Sequence, residues 1–157
     1  MNSVLTLRKT TTMKNPHAPR FLALWMALAA PMAWADPLAL ISPSEAQLPD
    51  AKAVTTRAIT RGPGIKMVNA PEVNAASFAL KIALEPRGGA KIDPHSLRLE
   101  YLKEPAVDLT PRVSAGIKPD QIDLPQVSVP KGVHHLRVSV KDSEGRATST
   151  VLSLTAK

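Results

Sequence analysis

The chain has 157 residues, 20 Lys and Arg against 13 Asp and Glu, and no cysteine. Much of its net charge of +7 lies at the start, where Arg8, Lys9, Lys14 and Arg20 come before any acidic residue. The lack of cysteine excludes a disulfide-stapled scaffold, a thiolate nucleophile and any cysteine metal site.

Residues 1–35 carry three regions in the order of a secretory signal. The basic stretch is followed by an apolar run, Phe21 to Ala30, closed by Pro31, and then by Ala33-Trp34-Ala35. Small residues at 33 and 35 form the pattern a signal peptidase reads, so cleavage is expected before Asp36. The run is too short to span a bilayer, which needs roughly 20 apolar residues. No cysteine follows it for lipidation and no twin arginine precedes it, so the expected route is Sec-type, to the periplasm or outside the cell. Met13 offers a second start codon in front of the same apolar run.

Removing residues 1–35 leaves 16 cations against the same 13 anions, a net +3. Phe78 and Tyr101 are then the remaining aromatics. That charge and so few stacking rings argue against a nucleic-acid partner. Residues 36–157 suffice for one core.

Residues 36–64 lack alternation and are broken by Pro37, Pro43, Pro49 and Gly62-Pro63-Gly64. Ser42-Pro43-Ser44-Glu45 has capping-box spacing, with Pro43 at the first helical position, and Pro49 limits the helix to about one turn. The stretch is expected to be a flexible or loosely docked arm.

From residue 65 to 157 the period becomes two. Phe78, Leu80, Ile82 and Leu84 alternate with polar or small residues, as do Leu97, Leu99 and Tyr101, then Leu136, Val138 and Val140, then Leu152 and Leu154. Each set predicts a strand with one buried face. Pro105, Pro111, Pro119, Pro125 and Pro130 confine the middle to edge strands and loops. Asp142-Ser143-Glu144-Gly145-Arg146 predicts a hairpin in which Gly145 takes the left-handed position. The expected fold is all-β, an antiparallel sandwich of about seven short strands.

The segment Gly132-Val133-His134-His135-Leu136-Arg137-Val138-Ser139-Val140-Lys141-Asp142-Ser143-Glu144-Gly145 resembles the closing part of bacterial immunoglobulin-like domains. Ile92-Asp93-Pro94-His95-Ser96-Leu97 resembles a loop-into-strand stretch of the same domains. The resemblance covers about residues 64–156 and implies an immunoglobulin-like sandwich used as a spacer, adhesion or binding module. It departs from the antibody pattern in lacking the cysteine pair and the buried tryptophan, and in carrying His134 where a corner tyrosine would stand. Small periplasmic copper-binding sandwiches are similar in size and closing hairpin. They place a histidine at the mature N-terminus, where this chain has Asp36.

Candidate sites follow from strand phase. His134 shares the inward phase of Leu136, and His135 the outward phase of Arg137, so the two cannot grip one ion from a regular strand. His134 is expected to hydrogen-bond backbone near a sheet corner, and Asp142 to bond turn amides. A metal carrier using His134 or His95 is the alternative reading. Glu100 and Glu104 are the closest glutamate pair, without the environment that raises a pKa. No Gly-x-Ser-x-Gly elbow or phosphate loop occurs, so no enzyme activity and no cofactor are expected. Arg137, Lys141 and Arg146 suggest a basic binding face. The sequence thus points to a monomeric exported module without a membrane anchor, engaging an envelope protein or an anionic polymer. The intact mass of the exported protein should correspond to a chain beginning at Asp36; a retained apolar segment in a membrane fraction would refute this.

Overall fold

The computed structural model describes residues 36–52 and 61–157, so the expected signal sequence lies outside the described residues. Among the described residues, nine strands and two one-turn helices follow in chain order. They are β1 (Leu38–Ala39), α1 (Pro43–Ala46), β2 (Gly64–Met67), β3 (Glu72–Val73), β4 (Phe78–Glu85), β5 (Ile92–Tyr101), β6 (Val107–Asp108), α2 (Thr110–Val113), β7 (Gln121–Ser128), β8 (Gly132–Asp142) and β9 (Ala147–Ala156). A 3-10 turn at Ser114–Gly116 extends α2.

The strands form two sheets, in the orders β1-β7-β4-β2 and β3-β9-β8-β5-β6. The sequence led us to expect purely antiparallel pairing, but both sheets are mixed. β1 runs parallel to β7 (Leu38 opposite Val127), and β3 runs parallel to β9 (Glu72 opposite Thr155). Alternating side chains from both sheets enter one core. Leu80, Ile82, Leu84 and Ile122 come from the first sheet, and Leu99, Leu136, Val138 and Leu154 from the second. This two-layer arrangement is compatible with a β-sandwich.

The proline-rich middle behaves as its chemistry requires. Pro125 sits where the β4–β7 register shifts, between Leu124 opposite Leu80 and Val127 opposite Phe78. Because β1 reaches only Val127 and Ser128, most of β7 is in effect an edge, where a missing N–H does little harm.

The arm expected over residues 36–64 is corrected for its first part. Leu40 and Ile41 are 0% and 2% exposed and belong to the core. The capping box forms as its spacing requires: Ser42 Oγ accepts from the Glu45 amide at 3.2 Å, and Glu45 Oε2 accepts from the Ser42 amide at 2.8 Å. What the sequence concealed is the partner on α2. Arg112 donates from both terminal nitrogens to the two Glu45 oxygens at 2.7 and 2.8 Å, and also to the Leu40 carbonyl at 2.8 Å. A bidentate guanidinium–carboxylate pair is among the stronger side-chain contacts because both hydrogen bonds are charge-assisted. Further along, Asp50 and Lys103 form an antiparallel bridge, and the Ala51 amide donates to the Leu102 carbonyl at 3.3 Å.

The hydrogen bond from Arg112 outweighs the opposing effect of burial and holds the Glu45 carboxyl down at about 2. A depressed folded value means that its stabilisation is complete above the unfolded value of 4.5 and is lost as pH falls toward 2. We expect acid titration to loosen residues 38–46 in that window, and Glu45→Gln to flatten this part of the stability–pH curve. Leu40→Ala should cost about 2–5 kcal/mol, the usual range for a fully buried leucine; a change below about 0.5 kcal/mol in chemical denaturation would restore the loose arm.

Candidate functional site

Three side-chain groups on β8 and its neighbours correspond to the residues singled out by sequence. The first is centred on His134, which is 2% exposed and lies in the inward row with Leu136 and Val138. Its Nε2 is 2.7 Å from the Pro130 carbonyl oxygen, and its Nδ1 is 2.9 Å from the Tyr101 hydroxyl. A carbonyl only accepts, so Nε2 carries the hydrogen; in the neutral ring Nδ1 then accepts from Tyr101. The two rings meet edge to face with centroids 5.6 Å apart. Both nitrogens of His134 are therefore occupied and neither is free for a metal ion.

This group extends to residues that sequence reasoning passed over. Lys103, 7% exposed, places Nζ 5.3 Å from the Tyr101 ring centre and 2.6 Å from Asp50 Oδ1. Burial pushes the Lys103 ammonium pKa down, but Asp50 and Tyr101 outweigh it and hold it above the ordinary lysine range. Burial, which disfavours the phenolate, raises the Tyr101 hydroxyl. The signal was present in the sequence: Leu97, Leu99, Tyr101 and Lys103 share one parity, so Lys103 follows the inward row past the end of β5.

His135 faces the opposite way, exposed, with Nδ1 3.1 Å from Ser153 Oγ. His95 is exposed in the β5 irregularity, where its amide donates to Asp93 Oδ1 at 3.0 Å. Among the described residues no group of three or more His, Asp or Glu is arranged to hold a metal ion.

The second group closes the β8–β9 hairpin. The Asp142 side chain is fully enclosed and accepts from the amides of Glu144 and Arg146 at 3.0 and 2.9 Å, while Arg146 Nε donates to it at 2.7 Å. Burial would raise this carboxyl, but the Arg146 side chain and the two amides together outweigh it and hold it below the usual aspartate range. Gly145, at φ 77°, supplies the left-handed residue of the turn.

The third is the basic face, and here the structure separates what the sequence grouped. Arg137 and Lys141 do lie on the outward face of β8, with Arg137 3.6 Å from Glu100. Arg146 is not part of that row. Its guanidinium is held by Asp142, by Glu144 at 3.1 Å and by the Arg87 carbonyl at 2.9 Å. It lies in the turn beyond the last residue of β8, where strand phase no longer applies.

A concavity lies elsewhere, where β1, the β3–β4 link, the β7–β8 link and Lys157 meet. It is an open groove of about 640 Å³ with an apolar floor that includes Ala39, Ile41, Ala75 and Val129. Lys131 and Lys157 are among its lining residues, with no Asp or Glu among the others, and the Ala75 amide donates to the Lys157 main-chain oxygen at 3.1 Å. Lys157 is paired with Glu72 at 2.5 Å. Nothing in the sequence marked this site, because it is assembled from four stretches far apart in the chain.

Comparison with protein-family models, with curated proteins and with solved structures finds no match for this chain.

The His134 arrangement generates a direct test. His134→Ala leaves the Tyr101 hydroxyl and the Pro130 carbonyl without a partner and should cost on the order of 1–3 kcal/mol. His135→Ala should stay within about 0.5 kcal/mol, as exposed substitutions generally do. Chemical denaturation of both variants decides it; equal costs would mean that the hydrogen bonds of His134 contribute nothing.

Proposed function

We propose that the chain is an exported, immunoglobulin-like module that acts by binding rather than catalysis, with a segment of another envelope protein or an anionic envelope polymer as its partner. The observation that carries this reading is the groove, in which an apolar floor is bordered by Lys131, while Lys157 beside it is paired with Glu72. Such a site favours an occupant with an apolar portion and a negative charge, since a second cation at the rim would be repelled. His134, Asp142 and Lys103 are engaged within the fold, and among the described residues no enclosed side-chain nitrogen or oxygen lacks a partner. Immunoglobulin-like character rests on the strand spacing and on the closing segment from Gly132 to Gly145, and export rests on residues 1–35.

Site-specific photo-crosslinking in the native host tests the assignment. A photoreactive residue at position 76, on the groove, should give a discrete adduct with an envelope component, and Lys131→Glu should abolish it. The same residue at position 144, in the far hairpin, should give none. No adduct at position 76, or equal labelling at both positions, would count against a binding role for the groove.

A further inference from the structure

The β7–β8 link belongs to both the groove and the buried histidine. Pro130 and Lys131 line the groove, and the Pro130 carbonyl is the acceptor for His134. Before the link, the Val129 amide donates to the Ala75 carbonyl at 3.0 Å. After it, Gly132 opens β8 opposite Ala156 at φ 135°, a conformation that residues with a side chain rarely adopt. Pro130 and Lys131 span the gap between these fixed points. Proline has no N–H, so its carbonyl is the group through which the backbone at Pro130 is tied down. His134 Nε2 donates to that carbonyl at 2.7 Å.

The donor is itself held in one orientation. The Tyr101 hydroxyl donates to Nδ1 at 2.9 Å, and a ring turned over would lose both bonds. Tyr101 is buried in the core, and beside it Lys103 is tied to Asp50 at 2.6 Å. His134 thus carries a fixed reference from the inner face of β8 to the link. The Pro130 carbonyl and the Lys131 amide belong to one planar peptide unit, so holding the carbonyl also sets the direction in which Lys131 leaves the backbone. Of the two lysines that line the groove, Lys157 is engaged by Glu72, whereas Lys131 is exposed.

We infer that His134 is a positioning residue for the groove: by fixing the Pro130–Lys131 peptide plane it sets where the Lys131 ammonium meets the negative charge of the occupant. The inference rests on the binding role proposed for the groove and adds to it a buried residue that never touches the occupant. The two ring nitrogens then have separate tasks. Nδ1, with Tyr101, serves the packing of β8 on β5, and Nε2, with Pro130, serves binding. Without the Nε2 bond the link and the long Lys131 stem must be ordered by the occupant itself, which weakens its hold.

Two amide substitutions divide these tasks. His134→Gln puts an N–H donor near the place of the ring Nε2 and keeps the bond to Pro130, whereas His134→Asn supplies an acceptor for Tyr101 but falls short of Pro130. The full chain with the photoreactive residue at position 76, in its native host, provides the readout. His134→Gln should keep the adduct, and His134→Asn should lower its yield by about tenfold, the worth of one hydrogen bond. In the purified protein the 13C resonance of the Pro130 carbonyl should move in His134→Asn and stay in His134→Gln. Without any variant, ring-nitrogen NMR should show the hydrogen of His134 on Nε2 and none on Nδ1; the reverse overturns the inference even if His134→Asn does not fold. Equal yields from the two variants, or yields that only follow their unfolding midpoints, also overturn it, while an adduct in the otherwise unmodified chain leaves the groove reading standing. No adduct in that chain removes both.

Discussion

The constraint on which this fold depends is that two sheets must be held together by side-chain packing, mostly aliphatic, without a disulfide. With no cysteine available, the distance between the layers is set by Leu80, Ile82 and Ile122 from one side and Leu99, Leu136 and Val138 from the other. Each of these six is fully buried, and together they turn a period-two sequence into a layered core. A polar arrangement, that of His134 with Tyr101 and Pro130, stands at one end of the β8 apolar row, as Asp142 does at the other. It costs little because both ring nitrogens and the hydroxyl are satisfied where they sit.

At the margins of that core, charge does what apolar area cannot. The Glu45–Arg112 pair fixes the β1–α1 segment against α2, and the Lys103–Asp50 pair fixes the chain near Asp50 against the end of β5. Exposed ion pairs contribute little, but these two are partly sheltered, and each joins residues more than fifty positions apart. The local chain in both places is too rich in proline to dock through a long strand, so a few directed contacts take over that task.

How much of this could be read from the sequence depends on the range of the interaction. β4, β5, β8 and β9 were legible because alternation is a local property, and so was the Asp142–Gly145 turn, whose chemistry lies within five residues. The capping box at Ser42 was legible for the same reason. The docking of Leu40 and Ile41 was not, since two apolar residues between prolines show no period and their partner Arg112 is about seventy residues away. The groove was hidden in the same way, being made by the meeting of links rather than by any motif. Arg146 was misplaced in the basic row because spacing was carried past the end of a strand into a turn, where Asp142 claims the side chain. Parallel pairing at β1 and β3 was equally invisible, because two-residue strands leave no pattern of their own.

The mixed pairing has a consequence for the order in which the molecule can be completed. The first strand of one sheet waits for β7, and the first strand of the other waits for the last two residues of β9. A chain that emerges from its N-terminus can therefore form the β2–β4 and β5–β6 pairs early, yet neither sheet closes until its late strand has arrived. Contacts that join such distant positions bear the entropy of closing long loops and form late in folding. Until then Leu40 and Ile41 have no core to enter, and the unfinished edges are open to other chains. Loss of Thr155 and Ala156 should thus free β3 as well as shorten β9, because the two are built as one seam.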